Sequence, residues 1–108
     1  MSYAKGDSPF RWSAAKNERL KIERRITFEK IVEAIEGGGL LGVLEHPNTI
    51  RYPHQRVFVV EFEGYAYLVP FIEAPGCCFL KTIIPSRKAT REYLHKGEPD
   101  DQAKVDRR

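Results

Sequence analysis

With 108 residues, 42% of them hydrophobic, the chain has material for one modest core and not for two independent domains. Its formal charge of +3 suits a polyanionic partner without requiring one. The only cysteines, the adjacent Cys77 and Cys78, exclude a disulfide-stapled scaffold; no run approaches the roughly 20 apolar residues of a membrane span and the first residues lack a signal-peptide core, so the expectation is a cytoplasmic protein without membrane association.

Residues 1–9 are small and polar and are expected to form a disordered lead. From Ser13, a candidate N-cap, strong helix formers follow, and Trp12, Ala15, Arg19, Ile22 and Ile26 recur at three- and four-residue spacing as the apolar face. The cations Lys16, Arg19, Lys21, Arg24 and Arg25 are interleaved with Glu18 and Glu23, which predicts a solvated, salt-bridged face. Thr27 opens a second helix, in which Phe28, Ile31, Val32 and Ile35 have the spacing of a helix laid on a core. Gly37 to Gly39 ends it. This triple glycine follows a helix instead of preceding one and lacks a Lys-Ser/Thr pair, which excludes a phosphate loop.

Leu40 to His46 predicts a short strand with Gly42 as the site of a bulge. The loop after it, bounded by Pro47 and Pro53, holds His46, Arg51, Tyr52 and His54, groups that bind phosphate or exchange protons. Two histidines eight residues apart without cysteine or a carboxylate pattern make a poor ligand set, and neither metal nor cofactor is expected. From Arg56 an alternating pattern predicts a hairpin turning at Gly64, with Pro70 marking an edge or a bulge in its second arm. Phe79 to Ile84 is the third arm of the meander. Pro85 then ends the strand and Ser86 caps a short helix carrying Arg87, Lys88, Arg91 and Tyr93. Between Lys81 and Lys96 five cations stand against the single anion Glu92, so this stretch exceeds the net charge of the whole molecule. The predicted architecture is α+β: two N-terminal helices packed on a three- to four-stranded antiparallel meander sheet with a short C-terminal basic helix, in one domain over 10–95, and a mobile tail at 96–108.

With these elements in this order, the chain resembles the BrnT-like toxins of bacterial type II toxin-antitoxin modules, which are similar in fold to the RelE ribonuclease toxins. The residues that carry the resemblance are F-x-W at Phe10 and Trp12, K-N at Lys16 and Asn17, I-T-F-E from Ile26 to Glu29, Arg56 before the hairpin, and I-I-P-S-R-K-A-T-R-E-Y from Ile83 to Tyr93. The chain has Ser13 where the family has Asp, Arg24-Arg25 where it has His-Gly, and Ile84-Pro85-Ser86-Arg87 where it has I-S-A-R. The resemblance implies a RelE-like fold and a toxin that is a metal-independent endoribonuclease, cleaving free or ribosome-bound mRNA and inhibiting translation. It also implies a cognate small antitoxin with a DNA-binding part, pairing up into a complex with two toxins. The alternative is a non-catalytic basic module that binds nucleic acid or a protein partner.

RNA cleavage without a metal needs a base for the 2′-hydroxyl, cations for the pentavalent phosphate and an acid for the leaving oxygen. Arg87 and Arg91, four apart on one helix face, can hold one phosphate between two guanidinium forks. Lys81 on the adjoining strand is a third cation, and His54 is the acid/base candidate. Lys88, Arg56, Tyr93 and Arg51 are the candidates for binding RNA, Tyr93 by stacking on a base.

Overall fold

The computed structural model describes residues 9–95; the expected tail at 96–108, and the expected lead apart from Pro9, lie outside the described residues. Phe10–Trp12 form strand β1, Ala14–Arg24 helix α1 and Phe28–Ala34 helix α2, which runs into a π-type turn at Ile35–Gly39. Strands β2 (Leu40–Glu45), β3 (Gln55–Phe62), β4 (Tyr65–Ala74), β5 (Cys77–Leu80) and β6 (Ile84–Pro85) follow, and Arg87–Ala89 begins a helix, α3, that continues as a π-type turn through Thr90–Leu94.

The helices start where side chains satisfy their first amides. Ser13 accepts from the Lys16 N–H and Thr27 from the Lys30 N–H. Arg25 closes α1 in the left-handed region at φ 58, its N–H donating to the Lys21 carbonyl. At the end of α2, a Cβ on Gly39 would lie 2.8 Å from the Glu61 carbonyl oxygen and 2.9 Å from that of Ala34, so the helix can approach β3 this closely only with glycine there. The β3–β4 hairpin turns on Glu63 and Gly64, at φ 53 and 80.

The chain is α+β, as expected, but the sheet is larger and mixed. Its order is β1-β5-β4-β3-β2, with β6 paired to β4, six strands in all. Three-residue β1 runs parallel to β5, Phe10 beside Cys78 and Trp12 beside Leu80. The expected third arm, Phe79 to Ile84, is interrupted. Its pairing with β4 slips by one residue between the Phe71–Leu80 and Leu68–Ile84 pairs. The slip sits at Pro70, whose carbonyl accepts from the Lys81 N–H but whose ring nitrogen has no hydrogen to give. The break turns Ile83 inward, where it is fully buried. The bulge expected at Gly42 is present, as a register shift between Leu40 and Gly42.

Two cores flank the sheet. On one face Leu20, Ile26, Phe28, Ile31 and Val32 of the N-terminal helical region meet Phe58, Val60, Val69, Phe71, Leu80 and Ile83. Phe58 stacks on Phe71 with centroids 3.8 Å apart, and Trp12 stacks on Phe28 at 5.6 Å. On the other face Ala89 joins Val59 and Ala66, with Leu41, Leu68 and Leu94 packed around them. The helices therefore lie on both sides of the sheet, N-terminal pair on one, basic helix on the other.

The face of α1 differs from the expected one. Asn17 and Leu20 are its buried residues, while Ile22 is 78% exposed. The reason is a polar joint: the Asn17 carbonyl oxygen accepts from the Phe28 N–H and its amide donates to Glu29, each at 2.8 Å, which turns this edge of α1 toward α2. Arg24, expected on a solvated face, donates to the Ile83 carbonyl and ties α1 to the end of the sheet. Ile35, expected in the core of α2 with Phe28, Ile31 and Val32, packs at the edge of that core and is half-buried.

Candidate functional site

Two small side chains set the basic helix in place. Ser86 caps α3 by accepting from the Ala89 N–H at 3.0 Å. Thr90 donates its hydroxyl to the Ser86 carbonyl and accepts from the Ala66 N–H of β4, both at 2.8 Å. Thr90 and Ala89 are buried, so the inward face of the helix is committed to the sheet. Arg87, Lys88 and Arg91 are left pointing outward and exposed.

Arg87 and Arg91 line one shallow depression of about 280 Å³ together with Thr90 and His95. The ion pairs among the described residues are Lys30–Glu33 and Arg56–Glu73, so no described carboxylate is paired with either guanidinium. The expected arginine pair is brought together, and His95 is brought with it. The sequence reading gives His95 no role, because it stands at the last residue of the expected domain, beside a polar stretch without period. Its spacing was the available signal, since it stands four residues after Arg91, as Arg91 stands four after Arg87. Tyr93 lies over β2, its ring 3.3 Å from where a Cβ on Gly42 would sit.

The other candidates are elsewhere. Lys81 is exposed in the break between β5 and β6. His54 is at the far end of β4, where its carbonyl accepts from the Glu73 N–H, and it lines a separate depression of about 510 Å³ with Glu73, Ala74 and Pro75. At about 3.3 Å per strand residue, the seven steps from Ala66 to Glu73 put His54 roughly 23 Å from the Arg87–Arg91 pocket. His54 is thus not brought together with those arginines. Arg56 is paired with Glu73 at 2.9 Å, and its Nε is enclosed without a hydrogen-bond partner among the described residues. Arg51 lies over the Tyr52 ring at 5.5 Å, and Tyr52 in turn packs on His46 at 4.5 Å. Arg51, His54 and Arg56 thus lie at the opposite end of the sheet from the arginine pair, with Arg56 already paired to a carboxylate.

Cysteine chemistry is not built into this arrangement. Successive residues of β5 face opposite sides, so the Cys77 and Cys78 thiols do not converge. Burial, reinforced by Glu73 and Cys77 and opposed by Arg56, pushes the Cys78 thiol above its ordinary range. Burial also raises the Tyr67 phenol, with Glu63 and Tyr65 adding to it. No three His, Cys, Asp or Glu side chains among the described residues come together as a metal site, and no helix among them is long and apolar enough to cross a membrane. Comparison with protein families, with curated proteins and with solved structures finds no match to the chain.

Proposed function

We propose that this protein is the toxin of a type II toxin-antitoxin module, a metal-independent endoribonuclease that cleaves mRNA, free or on the ribosome, and so inhibits translation. One observation carries the reading: Arg87 and Arg91 share a pocket with His95, and neither arginine is ion-paired to a carboxylate among the described residues. The guanidinium forks clamp the scissile phosphate and stabilise the charge that builds as the 2′-hydroxyl attacks. His95 exchanges the proton that the attack or the leaving 5′ oxygen requires. Lys88 on the same helix holds a neighbouring phosphate, and Tyr93 offers a ring for a base. The cognate antitoxin, with its DNA-binding part, covers the same cations, and two toxins enter the assembled complex. Expression in a bacterial host tests this: growth arrest by the wild-type chain, relieved by Arg87→Ala and Arg91→Ala, supports it, and unimpeded growth at high expression contradicts it.

The alternative is a basic module that binds nucleic acid or a protein partner without chemistry. The exposed Arg87, Lys88 and Arg91 serve that reading equally, as contacts to a polyanion. Tight RNA binding with no cleaved product would select that reading.

A further inference from the structure

Among the described residues strand β2 is an edge of the sheet, and Leu40-Leu41-Gly42-Val43-Leu44-Glu45 carries little of the protection that edges usually have: one charge, no lysine and no proline. The other edge, β1, is three residues long with Arg11 at its centre. Four exposed large apolar side chains gather at β2. Leu40, Val43 and Leu44 belong to it, 39, 39 and 43% exposed, and Tyr93, 36% exposed, lies over its Gly42.

The direction of the main-chain groups along this edge follows from one bond. The His46 N–H donates to the Gln55 carbonyl of β3. By antiparallel alternation, Leu44 and Gly42 also turn their N–H and C=O toward β3, while Val43 and Glu45 turn theirs outward. The edge therefore offers a donor and an acceptor at Val43, set between exposed apolar side chains.

We infer that β2 pairs antiparallel with the β2 of a second copy of this chain, about a two-fold axis at Val43. Such an axis stands perpendicular to the sheet and matches residues of like face, and a centre at Val43 satisfies this. Val43 meets its own symmetry mate, and each supplies the other's N–H and C=O. Gly42 faces Leu44 of the second copy. That leucine arrives beside the Tyr93 ring, which already occupies the space over Gly42, so two exposed apolar groups cover each other. The two Glu45 carboxylates are staggered away from one another instead of opposed. A different strand could use the same donors, but this sequence is complementary to itself, and isologous pairing consumes the exposed edge and closes at two copies. One short strand pair is a small interface, so association is reversible and depends on concentration. The inference is independent of the ribonuclease reading.

Sedimentation equilibrium of the full chain over a concentration series tests it. The mass rises from 12.5 kDa toward twice that value. Val43→Lys puts two cations on the axis and returns the monomer at every concentration. A chain with Val43→Cys, in a Cys77→Ser, Cys78→Ser background, cross-links to itself under mild oxidation, because Cα atoms of a hydrogen-bonded pair sit about 5.5 Å apart, within disulfide reach. Leu44→Cys in the same background does not, being displaced from its own mate by two residues. If Val43→Lys lowers the melting temperature, the two cysteine variants decide the matter. A monomer at all concentrations, a dimer that survives Val43→Lys in a well-folded chain, or equal cross-linking at 43 and 44 overturns the inference.

Discussion

Asn17 holds the two N-terminal helices together, its carbonyl oxygen on the Phe28 N–H and its amide on Glu29. Removing it strands a buried amide, so Asn17→Ala is expected to destabilise the fold by about 1–3 kcal/mol. Ile22, the apolar residue that helical spacing placed inward, is 78% exposed, and Ile22→Ala is expected to stay within about 0.5 kcal/mol of wild type. Urea melts of the two variants check the pair, and a larger loss at Ile22 would restore the face that spacing suggested. Asn17 was present in the sequence as part of a K-N pair and Phe28 and Glu29 as part of I-T-F-E, but their contact is tertiary, and no local periodicity reports it. At Cys78 the charged form is disfavoured in the fold, chiefly by burial and next by Glu73. The sign follows: this thiol's contribution to stability is intact below the unfolded thiol's range and is lost as pH rises through its raised one. Iodoacetamide labelling of Cys78 is therefore expected to begin at higher pH than in the unfolded chain, and Glu73→Gln to move that onset downward. An onset that Glu73→Gln leaves in place would remove Glu73 from the explanation.

Thr90 acts at the scale of an element, because one hydroxyl joins the basic helix to β4 and to its own cap. Thr90→Val keeps the shape and leaves the buried Ala66 N–H unpaired, at an expected loss of about 1–3 kcal/mol. Amide exchange at Ala66 is the readout, and protection equal to wild type would show that the helix is held by packing alone. The elements that were legible in the sequence are those with local signals: the caps at Ser13, Thr27 and Ser86, the Glu63-Gly64 hairpin and the bulge at Gly42. Strand β1 was not legible, since Phe10-Arg11-Trp12 is too short to show a period and its partner is nearly seventy residues away. The slip between β5 and β6 was hidden for another reason. Phe79 to Ile84 reads as one strand, and the break comes from pairing against Pro70, on a different strand.

Over the whole molecule, the sheet separates two tasks. Its helix-pair face holds the larger core, and its other face seats the basic helix so that Thr90 and Ala89 point in while Arg87, Lys88 and Arg91 point out. The arginine pair of the candidate site was legible as a four-residue spacing. The histidine beside it was not: His54 and His95 look alike in a sequence, and only the fold puts one about 23 Å of strand away and the other in the pocket. The melting temperatures of Arg87→Ala and Arg91→Ala are expected to match wild type, with changes below about 0.5 kcal/mol, because both side chains are exposed. The measurement that reaches the central claim is RNA cleavage by the purified chain in EDTA, with free mRNA and with programmed ribosomes as parallel substrates. The account predicts cleavage on at least one of them, reduced roughly 100- to 1000-fold in Arg87→Ala and in Arg91→Ala, as when a charge-stabilising donor is lost. No cleavage of either substrate, cleavage that requires an added metal, or full activity in both arginine variants would contradict it.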